Sequence, residues 1–185
     1  MDLLQTIADR RAVREYTDAH VDREVVEALI GAAILAPSAR NLQPWAFAAL
    51  LDPVRIEQYA RRAKEWLLEN QQSLALGTLV DMLKPPDFSI FYRASGLLLI
   101  LATDATTQAA EDCCLAAQNL MLAARDRNLG TCWIGLSRPW LNLPAIKAEL
   151  RLPAQYQVVA PIICGYPKSW PPAHGRNAAE IHWLG

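Results

Sequence analysis

Residues 108–127, QAAEDCCLAAQNLMLAARDR, constrain the fold more than any other stretch of the chain. Leu115, Ala116, Ala117, Leu120, Met121, Leu122, Ala123 and Ala124 leave little polar face on a helix of this length. A helix that is apolar almost all round is buried on most sides. A chain of 185 residues has few layers with which to surround it. Full burial is easiest against a second copy of the same chain, so a homodimer is the first expectation. Asn128 and Gly130 supply the stop. Glu111 and Asp112 sit at the helix start, where the helix dipole is explanation enough.

The rest of the chain offers shorter elements around this helix. Leu3, Leu4 and Ile7 share a face of a helix over 2–9, with Asp2 as its cap and Gln5 three residues on. Val25, Val26, Leu29, Ile30, Ala33 and Ile34 set a second helix over 23–35, started by Asp22 and stopped by Pro37. Residues 45–51 and 131–136 read as strands, and 53–63 as a helix. GLLLILAT, 96–103, is the continuous apolar run of a strand buried on both faces, and 157–166 resembles it. A short helix follows Pro139, over 141–150.

Residues 64–90 begin amphipathic and break at Pro85-Pro86, which predicts a helix followed by a mobile connection of the kind that forms lids. The tail, 167–185, is too rich in proline and polar groups to fold on itself and must lie on something. Helices outnumber strands and do not alternate with them, so the fold class is α+β, in a single domain over 1–185.

Composition removes several functions. A net charge of -1 argues against a nucleic-acid partner. No apolar run approaches the length of a membrane span, and the N-terminus carries no signal-peptide pattern, so no membrane partner and a cytoplasmic location are expected. Four cysteines without a CxxC and three scattered histidines give no metal spacing, and the thiols are expected to be reduced. No GxGxxG, P-loop, HExxH or GxSxG occurs.

Three clusters remain. Arg10, Arg11 and Arg14 crowd five positions. On a helix end, Arg10 and Arg14 share a face and need an anion between them, and a phosphate suits the guanidinium fork. On spacing alone, pairing with Asp9, Glu15 and Asp18 is the simpler explanation of the cluster. Ser38, Asn41 and Gln43 lie in PSARNLQP, a loop fixed by prolines, and could read a heterocycle edge or merely cap their own backbone. In GTCWIG, Gly130 and Gly135 bracket a strand that a flat ligand could approach, or that is simply a buried strand after a helix cap.

RRAVREY, PSARNLQPW, AAQNLMLAARDRNLGTCWIG and GYPKSWPPAHGRNAAEIHW, in that order, resemble the nitroreductase family of FMN-dependent oxidoreductases over nearly the whole chain. The resemblance implies a mostly antiparallel central sheet flanked by helices, in an intertwined homodimer with FMN at its interface. Arg10 and Arg176, with Arg11 in addition, would hold the phosphate. Arg14 would stand near the pyrimidine edge, and Ser38, Asn41 and Gln43 would come from the partner. Residues Cys132, Trp133, Ile134 and Gly135 would lie beside the ring, with a backbone N–H near Ile134 or Gly135 facing N5. The tail would reach across the partner.

NADH or NADPH would deliver hydride, and a small-molecule electron acceptor such as a nitroaromatic or quinone would remove it, by ping-pong kinetics without a side-chain nucleophile. Reductive dehalogenation, flavin breakdown or non-catalytic flavin binding are the alternatives. Ala12 and Ala39 stand where the family often has serine, each removing one hydrogen bond to FMN.

Overall fold

The computed structural model describes residues 2–185. Helices α1 (Leu3–Asp9) and α2 (Arg23–Ala33) precede a 3-10 turn at Ala39–Asn41 and strand β1 (Trp45–Leu50). Then come α3 (Pro53–Glu69), α4 (Leu79–Leu83), β2 (Gly96–Ala102) and α5 (Thr107–Asp126). Strand β3 (Gly130–Trp133), a 3-10 turn at Gly135–Ser137, α6 (Arg138–Leu141), α7 (Pro144–Glu149) and β4 (Gln157–Gly165) complete the order. The strands form one sheet, β1-β2-β4-β3, antiparallel throughout.

Strand β2 shows why the sheet is central. Leu97, Leu99 and Leu101 face one side, with α3, α6 and the 85–94 segment, while Leu98, Ile100 and Ala102 face α2 and α5. Every residue of β2 is buried, as a continuous apolar run requires. The extra residue Val159, opposite Ile100 and Leu101, makes a bulge in β4. Caps follow the local chemistry: Asp2 accepts from Gln5 N–H at 3.0 Å, Asp52 from Val54 and Arg55, and Thr106 from Ala109.

Five expectations change. Helix α3 runs on to Glu69, because Ala60, Ala63 and Leu67 continue its buried stripe. Residues 70–95 are packed and not a free connection: Leu76, Leu83, Ile90, Phe91 and Ala94 all enter the core. Lys64 Nζ braces this segment, donating to the carbonyls of Pro85 and Phe88. The strand expected over 131–136 ends at Trp133, and of the helix expected over 141–150 only α7, from Pro144 to Glu149, forms, after a separate α6 that ends at Leu141. Helix α5 keeps an exposed strip, Glu111, Cys114, Leu115 and Gln118, with Leu115 46% exposed, because polar residues recur on that side.

Candidate cofactor site

Helix α1 stops at Asp9 because Arg10 turns to extended backbone (φ -60, ψ 127). Residues 10–16 therefore run beside β3 as a strip of strand. Val13 N–H donates to Thr131 O at 3.0 Å, and Ala12 bridges Thr131. Arg10 and Arg14 thus share a side through the two-residue period of extended chain, and not through a helix face. Both guanidiniums act on the Cys132 thiol, pulling it down against the larger upward push of burial, which places them on the Cys132 side of the strip.

None of the three arginines pairs with Asp9, Glu15 or Asp18. Asp9 instead accepts from Gln5 Nε2 at 2.8 Å and faces Arg125 at 3.7 Å. Arg11 donates to the carbonyls of Ala8, Arg10 and Pro172. Arg14 lies over the Tyr92 ring, 5.8 Å from its centre. Among the described residues no acceptor meets Arg10. The intrachain explanation of the cluster fails.

The two glycines of GTCWIG differ. A Cβ on Gly130 would stand 2.8 Å from Val13, so this glycine admits the chain's own strip and no ligand. A Cβ on Gly135 would meet nothing nearer than Trp133 at 3.8 Å. Ile134 N–H is spent on Pro161 O at 2.8 Å, so of the pair expected to face a flavin, Gly135 carries the N–H outside the sheet ladder. Cys132 points into the core, while Trp133 is half-buried on the other face.

The 38–44 loop is tightly made. Arg40, Asn41 and Gln43 have φ of 51, 55 and 50°, the left-handed region that side chains other than glycine adopt seldom. Ser38 holds them: its carbonyl accepts from Asn41 N–H at 3.0 Å and its Oγ from Gln43 N–H at 2.9 Å. Gln43 Nε2 donates to Asn41 Oδ1 at 3.1 Å, leaving the Asn41 amide donors and the Gln43 carbonyl for other use. Pro44 O accepts from Thr103 N–H at 3.0 Å. Ala39 N–H reaches both oxygens of Asp112, at 3.3 and 3.2 Å. Sequence reasoning passed over Asp112, although it falls in the buried stripe with Ala109, Ala116 and Leu120, a stripe that is otherwise apolar or cysteine.

Register separates the two clusters. Thr131 pairs Cys164, and Cys164 pairs Gly96; Trp45 pairs Ala102. The arginine strip and the loop thus occupy diagonal corners of the sheet, about 19 Å apart across the strands and about 20 Å along them. One subunit does not bring them together.

The tail leaves from the arginine corner. Tyr16 bridges Pro167, Thr17 N–H donates to Tyr166 O at 2.8 Å and Lys168 N–H to Glu15 O at 3.0 Å. The Arg125 guanidinium stacks on Trp170, 3.8 Å from a ring centre, a clasp that no sequence motif announced. Beyond Pro172 every residue is exposed, including Trp183 and Leu184, and Arg176 meets only the carbonyls of His174 and Gly175.

A model of the nitroreductase family matches residues 7–166. The chain belongs to this family. A nitrobenzene nitroreductase of Ectopseudomonas oleovorans is 29% identical over 213 aligned positions, covering 95% of this chain and 91% of that protein. A 5,6-dimethylbenzimidazole synthase of Rhodospirillum rubrum is 30% identical, covering 86% and 79%. An FMN-bound nitroreductase from Bacteroides fragilis has the same fold, with a TM-score of 0.87, 23% identity and full coverage of both chains. Among the described residues no helix is long and apolar enough to cross a membrane, and no cluster could hold a metal.

Proposed function

We propose that the protein is an FMN-dependent NAD(P)H oxidoreductase whose cofactor sites form between two copies of the chain. The observation that carries this is the diagonal separation of the two clusters, with the Arg10 guanidinium left without an acceptor among the described residues. A second copy that sets its loop corner on the first copy's arginine corner completes a site that neither holds alone. Leu3, Leu4, Ile7 and Leu115, all 46% exposed or more, give the α1 and α5 surface an apolar face for that copy.

The residues fit FMN. Arg10 and Arg176, with Arg11 nearby, offer forks to a phosphate, each charge-assisted hydrogen bond contributing about 1.5–3 kcal/mol. Arg14 supplies positive charge at the pyrimidine edge. Gly135 presents an N–H with no side chain in the way. From the partner, the Asn41 amide and the Ser38 hydroxyl donate to the ring's polar edge. Bound there, FMN supplies two-electron chemistry at N5, and the protein supplies orientation and electrostatics. Burial raises the Cys132 thiol at this corner, with Arg14 and Arg10 pulling the other way, and pushes Cys113 and Cys164 up to about 12, so no thiolate is assigned a role.

The test begins with the purified protein. A visible flavin band that NADH or NADPH bleaches under anaerobic conditions supports the reading, as do parallel double-reciprocal plots. A protein that stays colourless after FMN is added overturns it. Nitrobenzene and other nitroaromatics, quinones and halogenated phenols as acceptors separate nitroreduction from other flavin chemistry, a distinction made pertinent by the different activities of the two enzyme relatives.

A further inference from the structure

Asp112 is the only buried carboxylate among the described residues, 2% exposed. Among the described residues no ion pair neutralises it. Burying a charge without a counter-charge is costly, and the cost is offset only where hydrogen bonds satisfy the group. Asp112 Oδ1 accepts from Gln108 Nε2 at 3.2 Å, and both oxygens accept from Ala39 N–H. The helix dipole does not account for this arrangement, because the carboxylate faces the 38–44 loop.

We infer that Asp112 is a positioning residue for the cofactor, acting by fixing the loop that presents Ser38, Asn41 and Gln43 to the partner subunit's site. This rests on the FMN reading above for its consequence, and on the loop geometry alone for its mechanism. Ala39 has no polar side chain, so its backbone alone ties the loop's first turn: its carbonyl accepts from Leu42 N–H at 3.0 Å within the loop, and its N–H, the group that reaches outside the loop, goes to Asp112. Directly after Ala39 come the left-handed residues Arg40 and Asn41, and Gln43 repeats the conformation. Residues in that conformation persist when the surroundings over-determine them.

The loop is pegged at two points. Asp112 holds Ala39 at one end, and Thr103 N–H holds Pro44 O at the other. Without the first peg, the loop's start keeps only bonds internal to it, Asn41 N–H and Gln43 N–H to Ser38 and Leu42 N–H to Ala39 O, and none of these ties it to α5. The loop would then sample the ordinary right-handed or extended backbone, and the Asn41 amide would lose its aim. Asp112 touches no ligand itself.

The experiment has two arms. In flavin-free protein, amide hydrogen exchange of a peptide covering 37–44 is compared among wild type, Asp112→Asn and Asp112→Ala. Exchange about tenfold faster in Asp112→Ala, with a smaller rise in Asp112→Asn, which keeps one acceptor oxygen, is the expected result. In the second arm, FMN affinity and the visible circular dichroism of bound FMN are measured for Asp112→Ala, Asn41→Ala and the double variant.

Asp112→Ala is expected to weaken FMN about tenfold in the wild-type background and less than about twofold where Asn41 is already gone. Equal penalties in both backgrounds would make Asp112 a general stabiliser and overturn the inference, as would unchanged exchange at 37–44. If Asp112→Ala does not fold, Asp112→Asn carries both comparisons. A wild type that binds no FMN sinks the functional reading and leaves the exchange arm to decide the loop.

Discussion

The two corners of the sheet that carry the candidate residues are built in opposite ways. At the loop corner the backbone is held from within the chain: Ser38, Asn41 and Gln43 bond one another, Asp112 and Thr103 peg the ends, and the Asn41 amide donors and Gln43 carbonyl are left facing outward. At the arginine corner the scaffold is equally firm, with Val13 seated on Gly130, but the guanidinium of Arg10 is left over. The first corner is a finished tool and the second an unfilled grip. This asymmetry is what the proposed site between two subunits would use, with an anion and the second copy's loop meeting at the second corner.

The largest effect should come from removing what leaves that corner. Ending the chain after Trp170 deletes Arg176 together with the exposed Ile181, Trp183 and Leu184, while keeping the Arg125–Trp170 clasp. Each large apolar side chain buried on a partner contributes about 1.5–3 kcal/mol, so self-association should weaken a hundredfold or more. Sedimentation across a dilution series measures this. A truncated chain that dimerises like the parent would break the comparison, because the tail would then be idle.

Complementation sharpens it. Arg10→Ala cripples one corner and Asn41→Ala the other, so each homodimer has two defective sites. Mixed after unfolding and refolding, half of the dimers are heterodimers with one intact site, and activity should return to about a quarter of wild type. Persistent inactivity would mean that both corners serve a site within one subunit. Arg10→Ala itself should leave the melting temperature unchanged, since its guanidinium meets no described acceptor, while weakening FMN about tenfold or more.

A third comparison uses the two glycines. Gly130→Ala forces a Cβ into Val13 and should cost about 1–3 kcal/mol of stability, read from thermal or urea unfolding. Gly135→Ala has room in the subunit and should leave unfolding unchanged, yet crowd the flavin and lower its affinity. Equal loss of stability at both positions would erase the distinction between a scaffold glycine and a site glycine.

These contrasts also mark what the sequence made legible. The alternation within GLLLILA could not be seen in a uniformly apolar run, but the run itself announced a strand buried on both faces, and β2 is that strand. The arginine cluster was visible as an anomaly of charge. Its geometry was not, because a helix ending at Asp9 and one continuing through Arg14 obey the same local rules until Val13 finds Thr131. Asp112 was hidden for the reverse reason. A carboxylate in the early turns of a helix is explained so readily by the dipole that its place in an apolar stripe drew no notice. In residues 64–90 the opening helix was legible, since α3 runs to Glu69, but the connection after it was misjudged, because Pro85-Pro86 looked like a break while Leu83, Ile90 and Phe91 on either side are anchored by contacts distant in sequence.

The smallest effect concerns the α5 strip. Of the four cysteines, Cys113, Cys132 and Cys164 are buried and only Cys114 is exposed, beside Leu115 on the side of α5 that no element of its own subunit covers. Burial pushes Cys113 and Cys164 up to about 12, so at mildly alkaline pH both stay as thiols in the folded subunit. Cys114 is raised too, by its lesser burial, with Arg138 pulling the other way. An isolated subunit should therefore give one reactive thiol towards a charged disulfide reagent, against four in denaturant. If a second copy covers the strip, that one thiol should be silent at high protein concentration and appear on dilution, in step with dissociation followed by sedimentation. A Cys114 that reacts at one rate across the whole dilution series would place the partner elsewhere. The exposed strip would then be ordinary surface, and the apolar face proposed for the second copy would shrink to α1.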